Sequence, residues 1–186
     1  MKKYSAILIA IISAMILVSC GGPSKDKEVT KIKELEKKKA AAEKSGIINR
    51  EKSAELITAY KEFADKFPKD TASATYLFKG AQLSMNINHG KGAIECFDRI
   101  IKDFPDYNKM PDCIFLKAFV YETQLQDMVN ARKYYEEFLK KYPRHDLADD
   151  AQASINNLGK SPEELVKEFE AKAKEDSAKK KAVVKK

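Results

Sequence analysis

The sequence predicts an all-α protein, built of helix-turn-helix repeats stacked as a short solenoid and closed by a C-terminal capping helix. Three observations carry that reading. Phe67-Pro68, Phe104-Pro105 and Tyr142-Pro143 set an aromatic–proline pair at intervals of 37 and 38 residues, which is a repeat period. Counting back from each proline, Tyr60, Phe97 and Tyr135 stand eight before, Phe63, Ile100 and Phe138 five before, and Leu56, Ala93 and Ala131 twelve before. Those spacings gather the side chains on one helical face, and the proline ends the helix because it cannot donate the next hydrogen bond. Between these helices a second kind is expected, over about Thr71–Asn86 and about Met110–Leu125.

Taken in order, residues 1–19 read as a signal peptide. Met1-Lys2-Lys3 is basic, and Ala6 to Val18 is apolar except for Ser13. The run is shorter than the roughly 20 apolar residues that span a bilayer. It ends Leu17-Val18-Ser19-Cys20, which resembles the bacterial lipobox. The resemblance implies cleavage before Cys20 and diacylglycerol on its thiol, anchoring the chain to a membrane. The competing reading is a secretory signal with a chance cysteine. Residues 20–25, with Gly21-Gly22-Pro23-Ser24, read as a lipidated tether. Residues 26–46 read as a charged helix whose apolar stripe, Val29, Ile32 and Leu35, is too thin to predict firm docking.

Residues 47–170 form the predicted repeat domain. Asp70-Thr71 and Pro111-Asp112 are first-turn signals; Asn88-His89-Gly90 and Gln126-Asp127 make the returning turns. His145 to Leu158 reads as a last, more polar helix, with Leu147, Ala148, Ala151, Ile155 and Leu158 facing inward. In Ser161-Pro162-Glu163-Glu164, Ser161 can accept from the Glu164 amide while the Glu164 carboxylate reaches back. Leu165 and Phe169 are then expected to lie over the last repeat as a cap. From Ala171 the apolar pattern fades, and residues 171–186 read as a lysine-rich disordered tail.

A small residue, an aromatic four on and a proline twelve on recur as Ala93-Phe97-Pro105 and Ala131-Tyr135-Pro143; Leu56-Tyr60-Pro68 departs at its first position. This pattern resembles the tetratricopeptide repeat over residues 49 to about 158. The resemblance implies a right-handed solenoid whose concave face, lined by the first helix of each pair, holds peptides or partner helices. Gly80 and Ala118 stand 38 apart, as do Lys79 and Lys117, and read as equivalent positions. Lys79, Gln82, Asn86, Lys117, Tyr121 and Gln124 are the candidate groove residues; each alone also reads as an ordinary exposed helix residue.

The net charge of +7 is concentrated at the ends: residues 172–186 hold seven lysines and two acids, Lys2 and Lys3 supply the rest, and the stretch from Cys20 to Ala171 is neutral. That is no footprint for nucleic acid. The tail also suits anionic headgroups or an acidic partner. Cys96 and Cys113 fall in predicted helices, where a disulfide and two buried thiols are both open. His89 and His145 are the only histidines. No zinc spacing, phosphate-cradling glycine loop or nucleophile elbow occurs, so the expectation is a non-enzyme with no cofactor, metal or small-molecule substrate.

A lipobox joined to such repeats resembles the outer-membrane-assembly lipoprotein family BamD, although this chain has fewer repeats. The resemblance implies a scaffold in a periplasm-facing complex of a Gram-negative envelope, with a β-barrel assembly complex among its partners. Gly21, rather than Asp, suits sorting to the outer membrane. The alternative is a structural envelope lipoprotein that touches peptidoglycan or lipid headgroups through its basic tail.

Overall fold

The computed structural model describes residues 24–184, so Cys20 and the signal segment lie outside the described residues. Eight helices follow one another: α1 (Lys25–Ala42), α2 (Arg50–Lys66), α3 (Thr71–Asn86), α4 (Gly90–Asp103), α5 (Met110–Thr123), α6 (Met128–Lys141), α7 (Ala148–Asn157) and α8 (Pro162–Val184). From α1 to α7 each helix packs chiefly on its chain neighbours. That nearest-neighbour order is the architecture of a helical solenoid.

The three proline-ended helices are α2, α4 and α6, and the face inferred from their periodicity is the core. Tyr60, Phe63, Phe97, Ile100, Tyr135 and Phe138 are all buried. The helices also stop in one way. Phe67, Phe104 and Tyr142 take φ of −130°, −134° and −133° with ψ of 61°, 61° and 55°. Each of these residues' carbonyls then accepts the amide three residues on, from Asp70 (3.1 Å), Tyr107 (3.0 Å) and His145 (3.1 Å). The proline fits inside this turn because the turn asks no N–H of it.

Helix starts follow the cap residues. The side chains of Asn49, Asp70 and Asp127 accept from the amides of Lys52, Ala72 and Asn130, each cap worth about 1 kcal/mol. At α8 the reciprocal box forms as its spacing predicts: the Glu164 amide donates to Ser161 Oγ at 3.2 Å, and the Ser161 amide donates to Glu164 Oε2 at 2.7 Å. Neighbouring turns are stapled to one another. Arg50 Nη1 donates to the Ile87 carbonyl (2.8 Å), and Gln124 Nε2 donates to the Met85 carbonyl (2.9 Å).

Three expectations are revised. First, α1 docks firmly on α2: Ile32 is 1 % exposed and Leu35 8 %. Its thin stripe suffices because ion pairs flank it: Lys31–Glu62 (2.9 Å), Glu28–Lys66 (2.7 Å) and Lys25–Asp70. With α1 in place, α2 becomes the second member of a complete pair. Second, the backbone of residues 171–184 is helical, continuing α8 to Val184, where a disordered tail was expected. Alanine and lysine are strong helix formers, so the helix propagates after its apolar stripe ends. Third, that cap is light: Leu165 is half-buried, but Phe169 is 65 % exposed.

Cys96 and Cys113 are both free and fully buried. Burial pushes the Cys96 thiol from 9.0 up to about 11 and the Cys113 thiol up to about 12. Burial also raises the hydroxyls of Tyr60 and Tyr135, which donate to Glu36 and Glu122. All four groups hold their protons more tightly when folded. Their contribution to stability is complete below the unfolded values and is lost as pH climbs through the folded ones. The urea midpoint is therefore expected to fall between about pH 8 and about pH 11, with both thiols unreactive toward a thiol reagent until the chain unfolds. A midpoint unchanged over that range would contradict the burial of these groups.

Candidate functional site

In a helical solenoid the surface available to partners is what the packed faces leave over, so the phase of each helix decides which residues can serve. The first helices of the middle two pairs are α3 and α5. α3 buries Ser73, Leu77, Gly80, Ala81 and Leu83; α5 buries Met110, Ile114, Lys117, Ala118 and Val120. Each residue of the first set lies 37 before its counterpart in the second. The extra residue of the second interval sits in the following turn, which spans 87–89 after α3 and 124–127 after α5.

This corrects the equivalence read from the sequence. One residue turns a helix by roughly 100°, so positions 38 apart face different ways. Lys117 corresponds to Gly80, Ala118 to Ala81, and Lys79 to Leu116. At Gly80 an added Cβ would meet Cys96 Sγ at 3.5 Å and Tyr60 at 3.8 Å, both ordinary contacts. Gly80→Ala is therefore expected to stabilise the fold by about 1 kcal/mol, because it removes a helix-interior glycine without a clash. Thermal denaturation checks it; a lower Tm would mean that the backbones already sit at their closest approach.

Lys117, placed at the packed position, is 4 % exposed. Its Nζ lies 2.5 Å from Asp98 of α4 and 3.7 Å from the Tyr134 ring centroid of α6. Burial opposes its charge, but hydrogen bonds to Asp98 and Tyr134 outweigh that and raise its pKa. Lys117 is thus a tie between three helices and not a groove residue. Tyr121 is half-buried, stacked on Tyr134 at 5.5 Å with 7° between the rings. Gln124 is the staple to Met85 described above.

The remaining candidates do lie together. Lys79, Gln82 and Asn86 are exposed along one side of α3, continuing a line from Thr75. Lys79 is the most engaged, at 2.8 Å from Glu36 of α1 and about equally far from the Tyr60 and Tyr76 rings (5.9 and 5.8 Å). Their counterparts on α5 are Leu116, Phe119 and Thr123, which periodicity alone did not single out. Phe119 is 38 % exposed and Thr123 is exposed. The outward face thus pairs an amide-rich stripe on α3 with a partly apolar one on α5. The signal that could have found Leu116 and Phe119 is the first proline interval of 37, carried through α5 in place of the second.

Among the described residues, no group of three or more His, Cys, Asp or Glu could hold a metal ion, and no helix is long and apolar enough to cross a membrane. An open cleft of ≈ 380 Å³ near the start of α3 is lined by residues including Ala74, Phe104, Pro105 and Tyr107.

Paired antiparallel helices in sequential contact, with a free outward row, define a helical-repeat scaffold. The family pattern that matches is the tetratricopeptide repeat, over residues 112–145, which takes in nearly all of α5, all of α6 and the closing Pro143. Residues 112–145 are similar to one tetratricopeptide repeat, and such repeats hold protein partners. Neither the curated proteins nor the solved structures contain a match to the chain.

Proposed function

We propose that this protein is a non-enzymatic scaffold of a Gram-negative envelope, held by lipid on Cys20 to the periplasmic leaflet of the outer membrane. There it binds another envelope protein, a component of outer-membrane β-barrel assembly being the partner that its lipobox-plus-repeat organisation suits. The observation that carries the binding role is the outward row itself. Gln82, Asn86, Phe119 and Thr123 lie outside the packed faces, on rigid helices, with amide and apolar groups side by side. The lipobox-like Leu17-Val18-Ser19-Cys20 supports the anchor.

A photo-crosslinker placed at Gln82 or Phe119 in cells is expected to trap a barrel or periplasmic subunit. The same group at Lys117, which is buried, should trap none. Clean monomer from both surface positions would count against the scaffold. Separately, Cys20→Ala is expected to leave the signal segment uncleaved and to abolish labelling by palmitate; normal maturation would remove the anchor. A second reading, contact of the basic end with peptidoglycan or headgroups, is favoured by α8 continuing as a helix to Val184 while packing only lightly on α7.

A further inference from the structure

α1 is the terminal helix of the stack, and its charges are sorted by side. Its acids Glu28 and Glu36, and Glu43 just past its end, pair with Lys66, Lys79 and Lys39. Lys27, Lys33, Lys37 and Lys38 are left exposed and unpaired, against the exposed acids Asp26 and Glu34. Lys33 and Lys37 fall on the side of α1 opposite the buried Ile32 and Leu35, and Lys44 follows in the exposed turn after the helix.

At the far end the chain turns back through Lys44-Ser45-Gly46-Ile47-Ile48. Glu43 closes this turn: its Oε1 accepts the Asn49 amide at 2.9 Å while its Oε2 is held by Lys39. Gly46 supplies the positive φ of 79° that the turn requires. The five residues in between are pushed into solvent, leaving Ile47 72 % and Ile48 50 % exposed. Neighbouring large aliphatics at a turn tip, beside a helix face on which exposed lysines outnumber exposed acids, are what a peripheral membrane contact requires. The aliphatics enter the headgroup boundary while the lysines meet anionic lipid.

We propose that the outer face of α1 and the Ile47-Ile48 turn form a second membrane contact, seated on an anionic bilayer surface. α1 is about 27 Å long at 1.5 Å per residue. It would lie along the membrane with its N-terminus at one extremity and the two isoleucines at the other. The contact is additional to any lipid on Cys20 and does not depend on it.

The chain contains no tryptophan, so a single introduced one reports its own depth. Full-length protein carrying Ile48→Trp is added to vesicles of phosphatidylcholine, alone or mixed with phosphatidylglycerol, whose acyl chains are brominated. Circular dichroism verifies the fold of each variant. A blue shift and quenching are expected only with the anionic vesicles, and both should be lost at high salt and in Lys33→Glu/Lys37→Glu/Lys44→Glu. Val129→Trp, in the first turn of α6 two repeats away and 81 % exposed, should be unquenched. No quenching at Ile48→Trp, equal quenching at Val129→Trp, or quenching that survives the charge reversal overturns the proposal. So does a blue shift given by soluble polyglutamate and not by vesicles, which would make the partner an acidic protein. Flotation on neutral vesicles reads the lipid anchor separately: protein that floats but stays unquenched at Ile48→Trp keeps the anchor and loses the second contact.

Discussion

Phe97→Ala is expected to remove about 3–5 kcal/mol of stability, the cost of deleting a fully buried aromatic whose site cannot collapse. Phe97 is 0 % exposed in the middle of α4, between α3 and α5, with the Phe78 ring 6.3 Å away. A domain of this size has about 5–15 kcal/mol in total. In a solenoid the loss also falls at one interface, so the two halves should uncouple. Urea unfolding followed by helical signal should show a broadened or two-step transition. Phe169→Ala, whose ring is 65 % exposed, should leave the midpoint close to that of the parent. A Phe97→Ala protein with an unshifted, single transition would mean that the core is not organised around the proline-ended helices.

Asp98→Ala is expected to cost more than Lys117→Met, although both break the same ion pair. Lys117 has 5 % of its side chain exposed, whereas Asp98 has 52 %. Removing the carboxylate strands an ammonium among packed helices, an effect of about 3 kcal/mol. The Tyr134 ring would offset part of that. Removing the lysine leaves a carboxylate that water can solvate, and methionine refills the stem volume, so a change of about 1 kcal/mol or less follows. Chemical denaturation of the two single variants and the double variant decides it. An equal or reversed order would mean that Lys117 reaches water by a rotamer other than the one described here.

How much of this was legible in the sequence depends on the range of the interaction concerned. The faces of α2, α4 and α6 follow from local periodicity, since Tyr60, Phe97 and Tyr135 keep their distance from a proline that ends the same helix. The Ser161–Glu164 box spans three residues and was equally readable. The phase of α5 was not, because the interval between two prolines does not say where in the repeat the extra residue falls; only burial in space places it in the turn at 124–127. Docking of α1 was also hidden. Its partners Glu62, Lys66 and Asp70 lie 31 to 45 residues along the chain, beyond the reach of any helical pattern. The exposure of Lys79, Gln82 and Asn86 was readable for the same reason, since it needed only the phase of one helix, whereas Lys117 needed the phase of two.

The staples from Arg50 to the Ile87 carbonyl and from Gln124 to the Met85 carbonyl tie three successive turns in a row along one edge of the array. Under tension that row behaves as a seam. A pull applied between the two ends of the stack reaches these bonds in series, one repeat boundary after another, while the opposite edge is held by the aromatic–proline turns and side-chain packing, with the Lys25–Asp70 and Glu28–Lys66 pairs tying α1 to the first of those turns. The array should therefore yield like a hinged strip, opening on the unstapled side first and bending toward the seam before any helix unravels.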